Sequence, residues 1–97
     1  NVLSTCRLGW GTAPEDTVDV ADGAVQSRIW PLYEVDQGLW KLSYKPRKPR
    51  PVEEWMATQG RFRHLFKPNK DNELLAEIQG EVDARWEQLM NRCGVDT

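Results

Sequence analysis

The sequence predicts an α/β chain, and three observations carry that expectation. Apolar residues recur at helical spacing over 71–92, two β-prone runs flank a short Gly-containing loop over 30–44, and a β-prone run at 2–5 leads into a helical pattern over about 13–28. The whole is 97 residues, the size of one domain rather than two.

Residues 2–5, VLST, read as the end of a strand whose sheet lies outside this sequence. The loop CRLGWGTAP follows, with Gly9 and Gly11 on either side of Trp10. Thr12-Ala13-Pro14-Glu15 has the capping-box pattern, in which the hydroxyl takes an orphan amide and the carboxylate reaches back. Pro14 suits a first helical turn, whose amides lack partners anyway. Val18, Ala21, Val25 and Ile29 then place an apolar stripe on that helix, with Asp16, Asp19 and Asp22 pointing elsewhere.

The hairpin over 30–44 joins WPLYEV to LWKLSY through Asp36-Gln37-Gly38, with Tyr33 and Val35 on one face, as are Trp40, Leu42 and Tyr44. A lone hairpin is marginal in water, so it must lie against something. Residues 45–51, KPRKPRP, hold three prolines and four cations and read as an extended arm outside the core. Pro51 opens a short helix, VEEWMATQ, for which Gly60 is the expected left-handed stop; RFRHLF adds a turn or two before Pro68. The two together make a helical region over 51–66. In the last helix Leu74 or Leu75, Ile78, Val82, Trp86, Leu89 and Cys93 form the stripe, Gly94 is a C-cap, and Arg92 sits at the negative end of the dipole.

Thirteen Lys and Arg against fifteen Asp and Glu leave a net charge of −2, which argues against a generally polyanion-binding surface and hence against nucleic acid as the partner. Charge is nonetheless segregated: residues 41–50 carry +5, residues 1–40 carry −4 and residues 51–97 carry −3. Leu, Ile, Val and Phe make up only 21 residues, so the five tryptophans must supply much of the buried area. The arrangement promises no single compact core, and the hairpin and helices are expected to pack largely on other chains. No apolar run approaches the roughly 20 residues of a membrane span, and no signal peptide is visible. A first residue of Asn1 rather than Met points to a fragment or a processed product. Cys6, Cys93 and one His make no self-contained metal site, which needs about four ligands, and the plain reading of both thiols is as small buried hydrophobes.

Three stretches together carry a resemblance. CRLGWGTAPEDTVDVADGAV parallels a Cys-Pro-Thr-Gly-Trp loop and its helix, IWPLYEVDQGLWKLSYKP parallels a Trp-Pro-Leu-Tyr-Glu hairpin, and RPVEEWMATQGRFRHLF is close to a Pro-Val-Glu-Glu-Tyr…Gln-Gly-Arg-Phe-x-His-Leu segment. In this order they cover roughly residues 2–66, and the chain resembles the C-terminal segment of the β subunit of 2-oxoacid:ferredoxin oxidoreductases, met most often as pyruvate:ferredoxin oxidoreductase. The resemblance implies the end of a thiamine-diphosphate-binding doubly wound α/β domain over 1–30 (strand, helix) and a C-terminal extension over 31–97. It implies oxidative decarboxylation of a 2-oxoacid, pyruvate first among them, on thiamine diphosphate with Mg²⁺. The acyl group would pass to coenzyme A and the electrons through [4Fe–4S] clusters to ferredoxin, in a reducing cytoplasm. The Gly-Asp-Gly and paired-Cys motifs of that chemistry have no counterpart here, so this segment alone should be inactive and would complete a cluster shell and a subunit interface.

In the family the Cys opening that loop ligates the proximal cluster, and the resemblance carries that role to Cys6, the one metal- and cofactor-binding residue expected here. Arg7 and Leu8 replace the family's Pro and Thr, and Arg7 would raise the cluster potential if it pointed inward. Trp10 is expected to pack rather than relay electrons. Glu53, Glu54, Arg61, Arg63 and His64 match family positions and are expected at interfaces and in salt bridges, while Tyr33 and Glu34 determine fold. The Lys41–Arg50 segment is read as a stiff arm across a neighbouring subunit, ahead of a docking strip for ferredoxin or coenzyme A. The rival from another class is a non-catalytic interaction module that binds a partner protein through the aromatic hairpin and terminal helix. An upstream reading frame holding the two missing motifs would decide for the enzyme.

Overall fold

In the computed structural model, which describes residues 1–95, four α-helices and one two-stranded antiparallel sheet are joined by two 3₁₀ segments. Helix α1 is a single turn, Arg7–Trp10; α2 spans Thr17–Gln26, α3 Val52–Ala57 and α4 Asn72–Cys93, with strands β1 at Leu32–Asp36 and β2 at Leu39–Tyr44. The 3₁₀ segments are Pro14–Asp16 and Gly60–Leu65.

Residues 2–5 form no strand. The two described strands pair only with each other, so an extended run at 2–5 has no ladder to join, and Leu3 instead leans on the core. The parallel sheet of a doubly wound domain has no strand among the described residues.

The helix expected from about 13 to 28 divides into the 3₁₀ segment and α2. Ala13, not Thr12, is the capping residue and no side chain caps it; the Thr17 hydroxyl bonds Pro14 O at 2.7 Å. The buried face also differs from the expected stripe: Val20, Gly23 and Ala24 point inward while Val18 is 77% exposed. The reason is Trp55. Its indole N–H donates to Val20 O at 2.8 Å and its ring lies so close that a Cβ on Gly23 would stand 2.8 Å from Cδ1. Glycine was absent from the apolar count, yet its bare face is what receives the ring.

The hairpin follows expectation. Val35 pairs with Trp40 and Tyr33 with Leu42, and Gln37 and Gly38 both have positive φ (52° and 79°), the mirror-image turn whose twist suits a hairpin. Tyr33 and Trp40 stack with centroids 5.5 Å apart and planes 8° from parallel. The sheet lies on α4, where Trp40 and Leu42 pack on Trp86, Leu89 and Met90.

The basic arm is extended but docked on its own chain. Pro46 is buried, the Arg50 amide donates to Gln26 O at 3.0 Å, and the Val52 amide donates to Gln79 Oε1 of α4 at 2.7 Å. Gly60 does not have the positive φ of a left-handed stop; α3 ends at Ala57 and Gly60 opens the next 3₁₀ segment. Helix α4 begins and ends as its sequence requires. Asp71 Oδ1 accepts the Leu74 amide at 3.1 Å, and Gly94 closes the helix at φ 68°.

Burial is divided between two clusters, and the elements pack on one another within the chain rather than only on other chains. The larger joins Ala24, Val52, Trp55, Met56, Leu65, Leu75 and Val82, with Trp10, Ile29 and Phe62 at its margin. The smaller, Trp86, Leu89 and Met90, holds the hairpin and receives half-buried Cys93.

Candidate functional site

The Cys6 loop is built from backbone outward. The Thr5 hydroxyl bonds Thr17 O at 3.1 Å, fixing the chain that enters the loop to the start of α2. Cys6 O accepts the Trp10 amide at 2.8 Å and closes α1. The thiol is exposed, and the Gly9 amide donates to its sulfur at 3.4 Å. Cys6 is therefore not the small buried hydrophobe that composition suggested: a one-turn helix turns its sulfur outward with a backbone donor already on it. Both cysteines are free. The side chain of Arg7 lies outside the described residues, and with it the question of which way that cation points.

Gly11 reverses the chain at φ 69° and brings it against Gly60. The Gly60 amide donates to Gly11 O at 2.9 Å, and a Cβ on Gly11 would sit 2.8 Å from Gly60 Cα. Two glycines distant in sequence thus allow two backbones to touch.

Between them Trp10 turns inward, edge-on to Trp55 at 6.2 Å and 88°. The Arg61 guanidinium lies 3.9 Å from the Trp10 ring centroid and 4.7 Å from that of Phe62. Arg61 Nε donates to Gln59 Oε1 at 2.7 Å, and buried Gln59 in turn donates from Nε2 to Trp55 O at 3.1 Å. Desolvation among these rings lowers the pKa of Arg61 from its ordinary value. The chain of contacts runs Gln59–Arg61–Trp10 to the Cys6 turn, so the 3₁₀ segment supports the loop in addition to the loop's own hydrogen bonds. Trp10 packs, as expected. Arg61 engages aromatic faces and an amide in place of a carboxylate.

The other expected residues are dispersed. Glu53 pairs with Lys70 at 2.9 Å, while Glu54, Arg63 and His64 are exposed. Tyr33 and Glu34 lie on exposed β1. Arg50 meets Asp22 at 3.6 Å, an exposed pair of small energetic weight. Among the described residues no three His, Cys, Asp or Glu side chains come together as a metal site. Cys6 could therefore give a metal centre one thiolate, with the remaining ligands from elsewhere. Gln59 and Gly60 were not singled out from sequence as positioning residues; the Gln-Gly-Arg-Phe run was their signal, and its meaning needed the contact with Gly9-Trp10-Gly11.

No helix among the described residues is long and apolar enough to cross a membrane. No family model matches the chain. Curated relatives do. It is 42% identical over 89 residues, 92% of this chain and 28% of the relative, to pyruvate synthase subunit PorB of Thermotoga maritima. The subunit of the same name from Methanocaldococcus jannaschii is 39% identical over 91% of the chain and 28% of the relative. Ketoisovalerate oxidoreductase subunit VorB of Pyrococcus abyssi is 36% identical over 91% of the chain and 27% of the relative. The chain thus spans little more than a quarter of the length of these relatives, and by sequence it is homologous to that portion of the PorB and VorB subunits of 2-oxoacid oxidoreductases.

Proposed function

We propose that this chain is the C-terminal segment of the β subunit of a 2-oxoacid:ferredoxin oxidoreductase, and that Cys6 supplies one thiolate to a [4Fe–4S] cluster whose other ligands come from outside the segment. What supports the reading is an exposed thiol on a turn held by a Gly9 amide at 3.4 Å, in a chain 42% identical to a pyruvate synthase subunit. The fit is to a single ligand: Cys6 offers one sulfur, and among the described residues it belongs to no group of three or more His, Cys, Asp or Glu side chains that could hold a metal alone.

The whole enzyme would decarboxylate a 2-oxoacid oxidatively, pyruvate by preference, with thiamine diphosphate and Mg²⁺ held by other parts of the protein. The acyl group would go to coenzyme A and the electrons to ferredoxin. A cluster bound at Cys6 would supply one-electron transfer. The contributions of this chain are of a different kind. The Gly9 N–H stabilises negative charge on the Cys6 sulfur, an interaction that raises the potential of a ligated cluster. The contact of Gly11 with Gly60, and of Arg61 with Trp10, keeps that sulfur at one place on the surface. Preorganisation of this kind limits the rearrangement that accompanies a change of charge. Free thiols and such clusters suit a reducing cytoplasm. A free-standing interaction module is not favoured, since the relatives are subunits of oxidoreductases.

The test is Cys6→Ser in the anaerobically purified whole enzyme. The expected result is a lower iron content and one altered [4Fe–4S] signal in the electron paramagnetic resonance spectrum, in a fully assembled protein. Iron content and spectrum equal to those of the parent would remove Cys6 from the site.

A further inference from the structure

A groove of about 780 Å³ runs beneath β1, between the hairpin, the α2–β1 connection and α4. Its basic members are Arg28, Arg85 and Arg92, and its acidic member is Glu34. Among the described residues none of the three arginines has a carboxylate partner. Arg28 and Arg92 lie instead over the rings of Trp86 and Trp40, at 4.6 and 4.7 Å from the centroids.

Two buried donors here have no acceptor, Arg28 Nε and Trp86 Nε1, although Trp86 is only 2% exposed. Buried N–H groups without partners are rare in finished structures, because each loses its bond to water and gains nothing in return. Arg28 is also held at φ 67°, a conformation that glycine would adopt without strain, so the arginine side chain is kept at a conformational cost. Across the groove, Tyr33 and Val35 remain 46% and 47% exposed although they share the sheet face that Trp40 and Leu42 bury on α4. The outer edge of β1 pairs with no strand among the described residues.

We infer that this groove is the docking site for an extended acidic segment of a partner polypeptide. Its carboxylates would pair with Arg28, Arg85 and Arg92, and its apolar side chains would cover Tyr33 and Val35. Charge complementarity selects the occupant: three guanidinium groups against one carboxylate favour an acidic chain and repel a basic one. The apolar ledge and the free strand edge favour a peptide over a small anion, since an added strand satisfies backbone groups and places alternate side chains on the ledge. The inference rests on the proposed function only in taking the partner to be another part of the same complex.

The experiment places a photo-crosslinking p-benzoylphenylalanine at Val35 in the full-length protein that carries this segment, purified with its complex. The adduct is mapped by mass spectrometry, and hydrogen exchange of β1 is compared in the free protein and the complex. The expected adduct joins Val35 to a run rich in Asp and Glu from a co-purifying polypeptide, and the β1 amides exchange more slowly in the complex. Arg85→Glu with Arg92→Glu should lower the adduct yield at least about tenfold, whereas Arg85→Lys with Arg92→Lys keeps most of it. Should the double charge reversal not fold, Arg85→Gln at its exposed position should still lower the yield. An adduct within the same polypeptide, to a second copy of it, to a basic or uncharged run, or undiminished by the charge changes would overturn the inference. So would unchanged β1 exchange without any adduct. Cys6→Ser is expected to leave the adduct intact, so failure here and failure of the cluster reading are separate results.

Discussion

Gly11 and Gly60, 49 positions apart, meet backbone to backbone: the Gly60 amide reaches Gly11 O at 2.9 Å, with no room for a Cβ on Gly11 against Gly60 Cα. This contact ties the Cys6 turn to the 3₁₀ segment Gly60–Leu65. Gly11→Ala would add a left-handed alanine to a backbone clash, and we expect a loss of about 2–4 kcal/mol. Urea unfolding checks the loss, and a stability equal to that of the parent would show that the contact does not constrain the loop.

Gly23→Ala pits two effects against each other. Alanine is about 1 kcal/mol better than glycine inside a helix. The new methyl, however, would stand 2.8 Å from Trp55 Cδ1, and Trp55 is held in place by its bond to Val20 O. Overpacking of this kind costs roughly 1–3 kcal/mol, so the variant should be less stable by about 1 kcal/mol. Near-ultraviolet circular dichroism, which reports on tryptophan packing, should change with it, and a more stable variant would place the ring elsewhere.

Arg61→Ala removes the cation above Trp10 and leaves Gln59 Oε1 without its donor. The expected cost is about 1 kcal/mol. It should fall on one place: the amides of residues 9–11 should exchange several-fold faster, while those of α4 are unaffected. Arg61→Lys should restore only part of the protection, because an ammonium cannot lie flat on the ring.

Asp71→Ala deletes the side-chain acceptor for the Leu74 amide at the start of α4. We expect about 1 kcal/mol lower stability, with fraying confined to the first turn of the helix, and Asp71→Asn to recover most of it. Urea denaturation of the three proteins, with exchange of the amides of residues 72–75, measures both.

How much of this could be read from the residues depended on how local the causes were. Helix α4 was legible to within one residue at each end because its stripe and its Gly94 terminus lie within its own sequence; the Asp71 cap, equally local, was not read. The hairpin was legible for the same reason, with Gln37-Gly38 between two β-prone runs. The inner face of α2 was not, since Gly23 matters only once Trp55 is laid across it. Nor was Gly60, read as a helix stop when its lack of a side chain serves a neighbour 49 positions earlier. The run at 2–5 has β propensity but no partner strand, and pairing rather than propensity makes a strand. At the candidate site, family likeness pointed to Cys6 and the donor on its sulfur is local, three residues on, while the Gln59–Arg61–Trp10 support came only from tertiary packing.

The proline-rich arm is stapled at Pro46, at Arg50 and at Val52, with α2 and α4 as its moorings. Five positive charges between Lys41 and Arg50 on a loose leash would be smeared into a cloud. Moored, they keep a constant bearing relative to the long helix. Any field they cast therefore points one way relative to α4 in place of averaging over many directions.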